Sequence, residues 1–530
     1  MRNRVWKLMM AVALSVSVTA SLGGASQVAF AEESTEDAGL TEKNETEEVD
    51  IATYRDAIQG SGDAYYCWEG SYVWEALTMN NGGVIEPWLA ESWEHNDECT
   101  EWTFHLRQDA YFTDGQQFDA DVCLANIERW GHELSSCYTT LSIEKSLPNL
   151  DKMEKTDDFT VKFTFTEPVT TLEYILSDYG SPMFSTNCFD AETGVISDYA
   201  IGTGPYKIVD HVDSQYALFE RNDDYYGEKG LVKTIRIRCI PDAETRISAM
   251  KAGEVMGLAD NGAITMDAAL ELCQNDPDTF AMDSTPSHMT EYLMFNYANE
   301  KLQDVRLRQA LSLAIDKQTI CDVLYGGLLE PAYSFLSTQS VFHLDIQGSY
   351  DLDQAKELAA EALGGEAVDM TLIMRSDTAS NYNVKAVGEY LAQVFAELGV
   401  NVNIEVLDSD TIKERQSEGS WDLYLNVFGI NNADPTSTFA SYFTKEGTQN
   451  NTYNMQYYNE QVEELVAKAP TITDADERSQ VYDEIQQLLY DEVACVPICY
   501  QINVNIHNTA IEGYAGKTFG VGLPTIHWVK

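Results

Sequence analysis

The chain has 530 residues, with 33 Lys and Arg against 86 Asp and Glu, a formal charge of −53 at pH 7. That length exceeds what a single hydrophobic core serves, so two or three domains are expected. Phosphate backbones would be repelled with no basic stripe to offset the acids, which excludes nucleic acid as a partner.

At the start, Arg2, Arg4 and Lys7 precede the apolar run "LMMAVALSVSVTA", and "AFA" ends at Ala31 with small residues suited to cleavage. Residues 1–31 therefore read as an export signal. No other apolar run approaches the ~20 residues that span a bilayer, so a soluble protein outside the cytoplasm is expected. In "SLGGAS" a Gly and a Ser stand where a lipid-anchoring Cys would sit, so release from the membrane is expected too. Residues 32–48 are acidic and nearly devoid of apolar side chains, the composition of a disordered spacer.

A strand is predicted from Val49 to Ile58, then a Gly-flanked aromatic stretch in "QGSGDAYYCWEGSYVWEALT", then helical spacing of Tyr72, Trp74, Leu77 and Met79. "EWTFHLRQDAYFTDGQQFDA" alternates as a strand, turns at Asp114-Gly115 and opens a helix at Asp119 or Asp121. "FTVKFTFTEP" is a further strand. In "IGTGPYKIVD" the glycines suggest a phosphate loop, but Pro205 follows Gly204, no Lys and Ser/Thr stand in register, and Tyr206, Ile208 and Val212 are spaced for a strand. The stretch reads as a hairpin that returns through Tyr216 to Glu220. "VKTIRIRCIP" precedes a helix from Ala243 to Ala252 that stops at Gly253.

The second half begins with the strand "HMTEYLMFNYAN" and a helical segment in "DVRLRQALSLAIDKQTICDVLYGG" stopped by Gly326-Gly327. "DMTLIMR", the helix "NYNVKAVGEYLAQVFAELG" and "VNVNIEVLD" form a β-α-β unit for a parallel sheet. A helix in "DADERSQVYDEIQQLLYDEV" leads to "ACVPICYQINVNIHN", a strand long enough to cross between domains.

Chemistry is mostly absent from the motifs. There is no G-x-S-x-G and no H-E-x-x-H, so an exported hydrolase lacks both nucleophile and metal signature. Eight histidines include no pair at i, i+4, and each reads singly as a surface or core residue. Ten scattered cysteines form no dense disulfide framework; they read as buried thiols with one or two incidental disulfides. Cys495 and Cys499 are expected on one face of their strand, without the second pair a zinc site needs. No cofactor and no metal ligands are expected. Aromatics are the positive signal, and Tyr65, Tyr66 and Trp68 in irregular backbone suit a ligand cleft.

Together, "IEPWLAESWEHNDECTEWTFHLRQDAYFTDGQQFDADV", "GTGPYKIVDHVDSQYALFERNDDYYGEK", "IRCIPDAETRISAMKAGEV", "DVRLRQALSLAIDKQTI" and "LYGGLLEPA" resemble the family-5 solute-binding proteins of ABC importers, which include oligopeptide, dipeptide and nickel binders. The resemblance runs in order over nearly all of the chain from about residue 50. It implies an α/β, two-lobe, periplasmic-binding-protein-like fold of type II with a small domain inserted in the first lobe. The expected boundaries are 49–80 with 198–290 and 490–530 for lobe I, 81–197 for the inserted domain, and 291–489 for lobe II. It implies a monomer that encloses a solute by hinge closure and presents it to a membrane permease, without catalysis.

"YGEK" and "DEVACVPICY" look closest to the nickel-binding branch, as structural segments. Where dipeptide binders hold the amino terminus with an Asp, "FGINNADPTSTF" has Asn431, which cannot supply that charge; Asp434 beside Pro435 reads as a turn-former instead of an anchor. Where the nickel binder uses an Arg, "DYGSPMFS" has none, and its loop Trp corresponds to Phe428, with no histidine near that loop in sequence. The expected cleft walls are Tyr65, Tyr66, Trp68, Tyr138, Tyr179, Phe428, Asn431 and Asn432. The solute is left open between a peptide-like molecule and a metal chelate. A released receptor feeding a sensor or signalling partner is the runner-up, and an exported hydrolase the remote alternative.

Overall fold

A computed structural model describes residues 41–56, 72–81, 84–132, 143–147, 149–177, 181–196, 199–259, 262–429, 435–517 and 521–529. The chain divides into Met1–Thr41 and Glu42–Lys530, and every described element belongs to the second unit.

An 11-stranded mixed sheet organises this unit. Its order is Val400–Leu407, Val368–Arg375, Leu423–Gly429, Phe280–Phe295, Cys495–Asn508, Gly257–Leu258, Val49–Thr53, Thr234–Cys239, Tyr216–Arg221 and Tyr206–Val212, with Glu330–Pro331 also pairing Cys495–Asn508. The predicted β-α-β unit is present: Val368–Arg375 and Val400–Leu407 pair in parallel around the helix Val384–Ala396, whose Val387, Leu391 and Phe395 are buried. The long strand expected near the C-terminus is present as Cys495–Asn508. It pairs along its whole length with Phe280–Phe295 and, near its C-terminal end, on its other edge with Gly257–Leu258, antiparallel in both cases.

A separate sheet, Ala90–His95, Glu101–Leu106, Thr160–Phe165 and Leu150–Asp157, has its own core around Trp102, Phe104, Phe118 and Phe163. Part of the acidity serves local structure. Asp119, Asp242, Asp351, Asp408 and Asp474 each accept a backbone N–H at the start of the helix that follows, satisfying donors the helix cannot.

The glycines of "IGTGPYKIVD" have a steric purpose. A Cβ on Gly202 would overlap the Val73 carbonyl, and one on Gly204 would overlap the Tyr72 carbonyl, while Gly204 N–H donates to Val73 O at 3.0 Å. The chain at 72–74 lies directly on this turn. The same contact corrects the helix expected through Tyr72, Trp74, Leu77 and Met79: a turn at Tyr72–Val73 presents the Val73 carbonyl to Gly204, Trp74 Nε1 donates to Ala200 O at 2.7 Å, and Thr78–Asn81 is a strand paired with Val84–Pro87.

Three further expectations are corrected. The spacer ends before residue 42, because Glu42–Thr46 is helical, Asn44 is buried with its carbonyl accepting from Lys233 N–H, and Glu45 and Glu48 pair with Arg221 and Arg236. The strand from Val49 ends at Thr53. The helix after Asp304 is interrupted: Val305–Leu313 stops, Asp316 caps Lys317–Thr319, and Ile320–Leu324 winds as a π-turn.

Glu75 marks how the segments lock together. It is buried at 0% exposure, and accepts from Trp88 Nε1 (2.7 Å), Tyr225 Oη (2.7 Å), Tyr226 Oη (2.8 Å) and Thr203 Oγ1 (2.6 Å). Burial raises its pKa against those four donors. The tyrosine of "YGEK" is thus a structural donor.

Candidate functional site

The crossing strands depart from regular pairing at their middle. Pro286 is opposite Ile502 and Thr290 opposite Tyr500, so Ser287, His288 and Met289 face the single residue Gln501. Such a bulge re-aims side chains and bends a strand, and is common beside binding sites. Ser287 and Gln501 are each 1% exposed, and the Gln501 amide lies beside the Tyr325 hydroxyl.

Further along, the sequence "QINVNIHN" alternates, and the structure gives the two sets different surroundings. Ile502, Val504 and Ile506 belong to the large core, while Gln501, Asn503 and Asn505 are buried polar residues. Asn503 Nδ2 donates to Lys517 O at 3.0 Å, Gly516 N–H donates to Asp283 Oδ2 at 2.6 Å, and both polar ends of Asn505 are unpaired. This period-2 alternation of amides with branched apolar residues is the signal in the sequence that points to a polar strand face.

One wall is aromatic. Leu423–Gly429 pairs with Phe280–Phe295, placing Phe428 opposite Thr290 and Gly429 opposite Met289. The Phe428 ring is stacked between Tyr292 (4.3 Å, 22°) and Tyr442 (5.0 Å, 7°), so both of its faces are covered and an edge is left for anything beside it. A Cβ on Gly429 would overlap His288 Nε2. A histidine therefore does lie at the root of the loop that follows Phe428, contrary to the reading from sequence distance. Burial pushes its imidazole down to about 4, so it is neutral at physiological pH.

Of the expected cleft residues, Phe428 alone is placed here; Tyr65, Tyr66, Trp68, Tyr138, Tyr179, Asn431 and Asn432 lie outside the described residues, as does Asp434. The expected common face of Cys495 and Cys499 is corrected. A register shift between Glu291 and Tyr292 puts Cys495 in the aromatic core with Tyr292 and Cys499 in the large core, where Cys321 Sγ lies 3.3 Å away. The eight described cysteines are free thiols.

Among the described residues, Asp56, His211 and Asp213 are the sole cluster close enough to hold a metal ion. Its geometry is that of an ion pair: His211 Nε2 faces Asp56 at 3.1 Å and Nδ1 faces Asp213 at 3.6 Å, which uses both ring nitrogens.

Two long strands join the two halves of one mixed sheet, with a polar bulge and an aromatic wall at their middle. The chain belongs to the bacterial extracellular solute-binding proteins, family 5, whose description matches residues 84–450. Its curated relatives include Heme-binding protein A of Haemophilus influenzae, 26% identical over 462 residues, covering 82% of this chain and 82% of that protein. Di/tripeptide-binding protein 1 of Pseudomonas aeruginosa is 26% identical over 479 residues, covering 85% and 87%. Among solved structures, NikA from Brucella suis in complex with Fe(III)-EDTA superposes with a TM-score of 0.78 at 22% identity, over 91% of this chain and 100% of that one. DppA from Helicobacter pylori in complex with the peptide STSA gives 0.71 at 22% identity, over 91% and 98%.

Proposed function

We propose that this solute-binding protein captures a peptide-like solute or a metal chelate between two lobes and delivers it to the permease of an ABC importer, acting as a monomer and catalysing no reaction. Lobe I would comprise 49–80, 198–290 and 490–530, the inserted domain 81–197 and lobe II 291–489. Residues 1–31 would direct export and be removed. The observation that supports the reading is the three-against-one bulge midway along Phe280–Phe295 and Cys495–Asn508, with Gln501 and the Phe428 stack beside it, where the proposed hinge would bend. Related proteins named for peptides support a peptide-like solute.

The neutral imidazole of His288 beside Gly429 favours the second reading, a chelate, since an unprotonated ring nitrogen can reach a metal. The experiment is mass spectrometry of small molecules released by denaturing freshly purified protein, with metal analysis of the same sample. A stoichiometric peptide supports the first reading, and a metal with an organic chelator the second. Protein that is empty in repeated preparations and fails to close on any offered peptide or chelate, read by a lobe-to-lobe crosslink, would overturn both.

A further inference from the structure

Cys321 and Cys499 stand 178 positions apart in the sequence, yet their Sγ atoms lie 3.3 Å from one another. Cys321 belongs to the π-turn Ile320–Leu324, and Cys499 to the strand Cys495–Asn508, where it is opposite Glu291. Both are 0% exposed in the large core. A disulfide holds its sulfurs about 2.05 Å apart, so roughly 1.2 Å of sulfur movement separates this contact from a bond. That is a side-chain adjustment and not a change of fold.

Other described thiols are differently placed. Cys99 faces His95 Nδ1 at 3.6 Å, Cys188 donates to Ser185 O at 3.0 Å, and Cys495 is in the aromatic core. Lys317 adds a charge beside the pair. It is 4% exposed, its ammonium donates to Ala332 O at 2.8 Å, and it sits 4.2 Å from the centre of the Tyr333 ring. Its charge favours a thiolate at Cys499, against the burial that raises that thiol in the finished core. With both sulfurs buried, an external oxidant reaches them only before Cys495–Asn508 is fully seated.

We propose that Cys321 and Cys499 are a modification site, closed as a disulfide while the C-terminal strand docks outside the cytoplasm, and that the bond staples this strand to the π-turn. The oxidant is another disulfide. The Cys321 thiolate attacks one of its sulfurs, the oxidant's S–S bond breaks and a thiolate leaves; the Cys499 thiolate then attacks the Cys321 sulfur and expels the second. Two protein thiols become one disulfide, the oxidant is reduced to two thiols, and the protons lost by the cysteines end on them. Once closed, the bond restrains a loop of 178 residues in the unfolded chain, where long loops gain most.

The test refolds the full chain, reduced and denatured at the start, in a mixture of oxidised and reduced glutathione, alkylates the remaining thiols and maps an unreduced digest by mass spectrometry. The peptide of Cys321 should be joined to the one that carries Cys495 and Cys499, still joined in C495A and separate in C499A and C321A. Reduction should lower the melting temperature of the unsubstituted chain by more than that of C321A or C499A. If an alanine variant at the pair does not refold, the maps of the unsubstituted chain and of C495A carry the test. Refolded protein with Cys321 and Cys499 both alkylated, a link that runs to Cys495 or to another cysteine, or a link whose reduction leaves the melting temperature unchanged would overturn the proposal. Because the chain is purified and refolded in the tube, the outcome stands apart from whether residues 1–31 direct export and from whether a solute is bound.

Discussion

The Tyr325 hydroxyl donates to Glu291 Oε2 across 2.8 Å, tying the end of the π-turn to the crossing strand Phe280–Phe295. Glu291 is 0% exposed and its other oxygen is unpaired, so burial raises its carboxyl to about 7. A raised carboxyl holds its proton in the native state and gives it up in the unfolded chain. Stability from this group is therefore complete below the ordinary carboxyl pKa and declines as pH rises from about 4.5 to 7. Glu291→Gln should leave the melting temperature unchanged at pH 4.5 and raise it at pH 8, by up to about 3 kcal/mol in unfolding free energy. Urea titrations at the two pH values check it; an equal effect at both would contradict the assignment.

His211 has the opposite chemistry. The hydrogen bond to Asp56 comes first in raising its pKa, followed after some opposing burial by the charges of Asp56, Asp213 and Asp210. A raised histidine contributes stability that is fully present below its ordinary pKa of about 6.5 and is lost as pH climbs through the folded value. His211→Ala should thus lower the melting temperature more at pH 5.5 than at pH 8.5, as scanning calorimetry would show.

Glu75 holds four donors in a buried site, and removing the carboxylate strands all of them. Glu75→Ala should cost about 3–5 kcal/mol, the range for breaking a buried charged network. Thr203→Val, which removes a single donor, should cost about 1–2 kcal/mol. Denaturant midpoints measured side by side would show whether the two variants differ in that order.

Gly202 has no room for a methyl group, since the carbonyl of Val73 fills that space and backbone cannot swing away as a side chain tip can. Gly202→Ala should destabilise by about 3 kcal/mol or more, in the range of the severe overpacking cases. An unchanged denaturation midpoint would mean that the 72–74 segment is free to shift.

Local signals carried much of the fold. Gly253, with φ of +72°, ends its helix where a left-handed residue is required, and the β-α-β unit followed from period and length alone. What escaped was set by register and by distance along the chain. The parity of Cys495 and Cys499 failed because a shift in the ladder cannot be read from one strand in isolation. Helical spacing around Trp74 was real as a pattern, yet tertiary contact with Gly202 and Gly204 overrode it. His288 reaches Gly429 only because two strands distant in sequence pair, which no local window contains.

The strand Cys495–Asn508 is drawn from the last part of the chain, and its partner Phe280–Phe295 lies more than halfway along it. Neither end of the large sheet can be joined to the other until that final strand is available. During synthesis, Val49–Thr53 and Tyr206–Val212 find their partners early, whereas Gly257–Leu258 and Phe280–Phe295 each lack one partner until Cys495–Asn508 is made, and loop-closure entropy over that long separation must be overcome in one late step. Joining the two parts of the large sheet is therefore gated by its C-terminal strand: a chain truncated before Cys495 should leave them unjoined and be cut faster in limited proteolysis than the full chain.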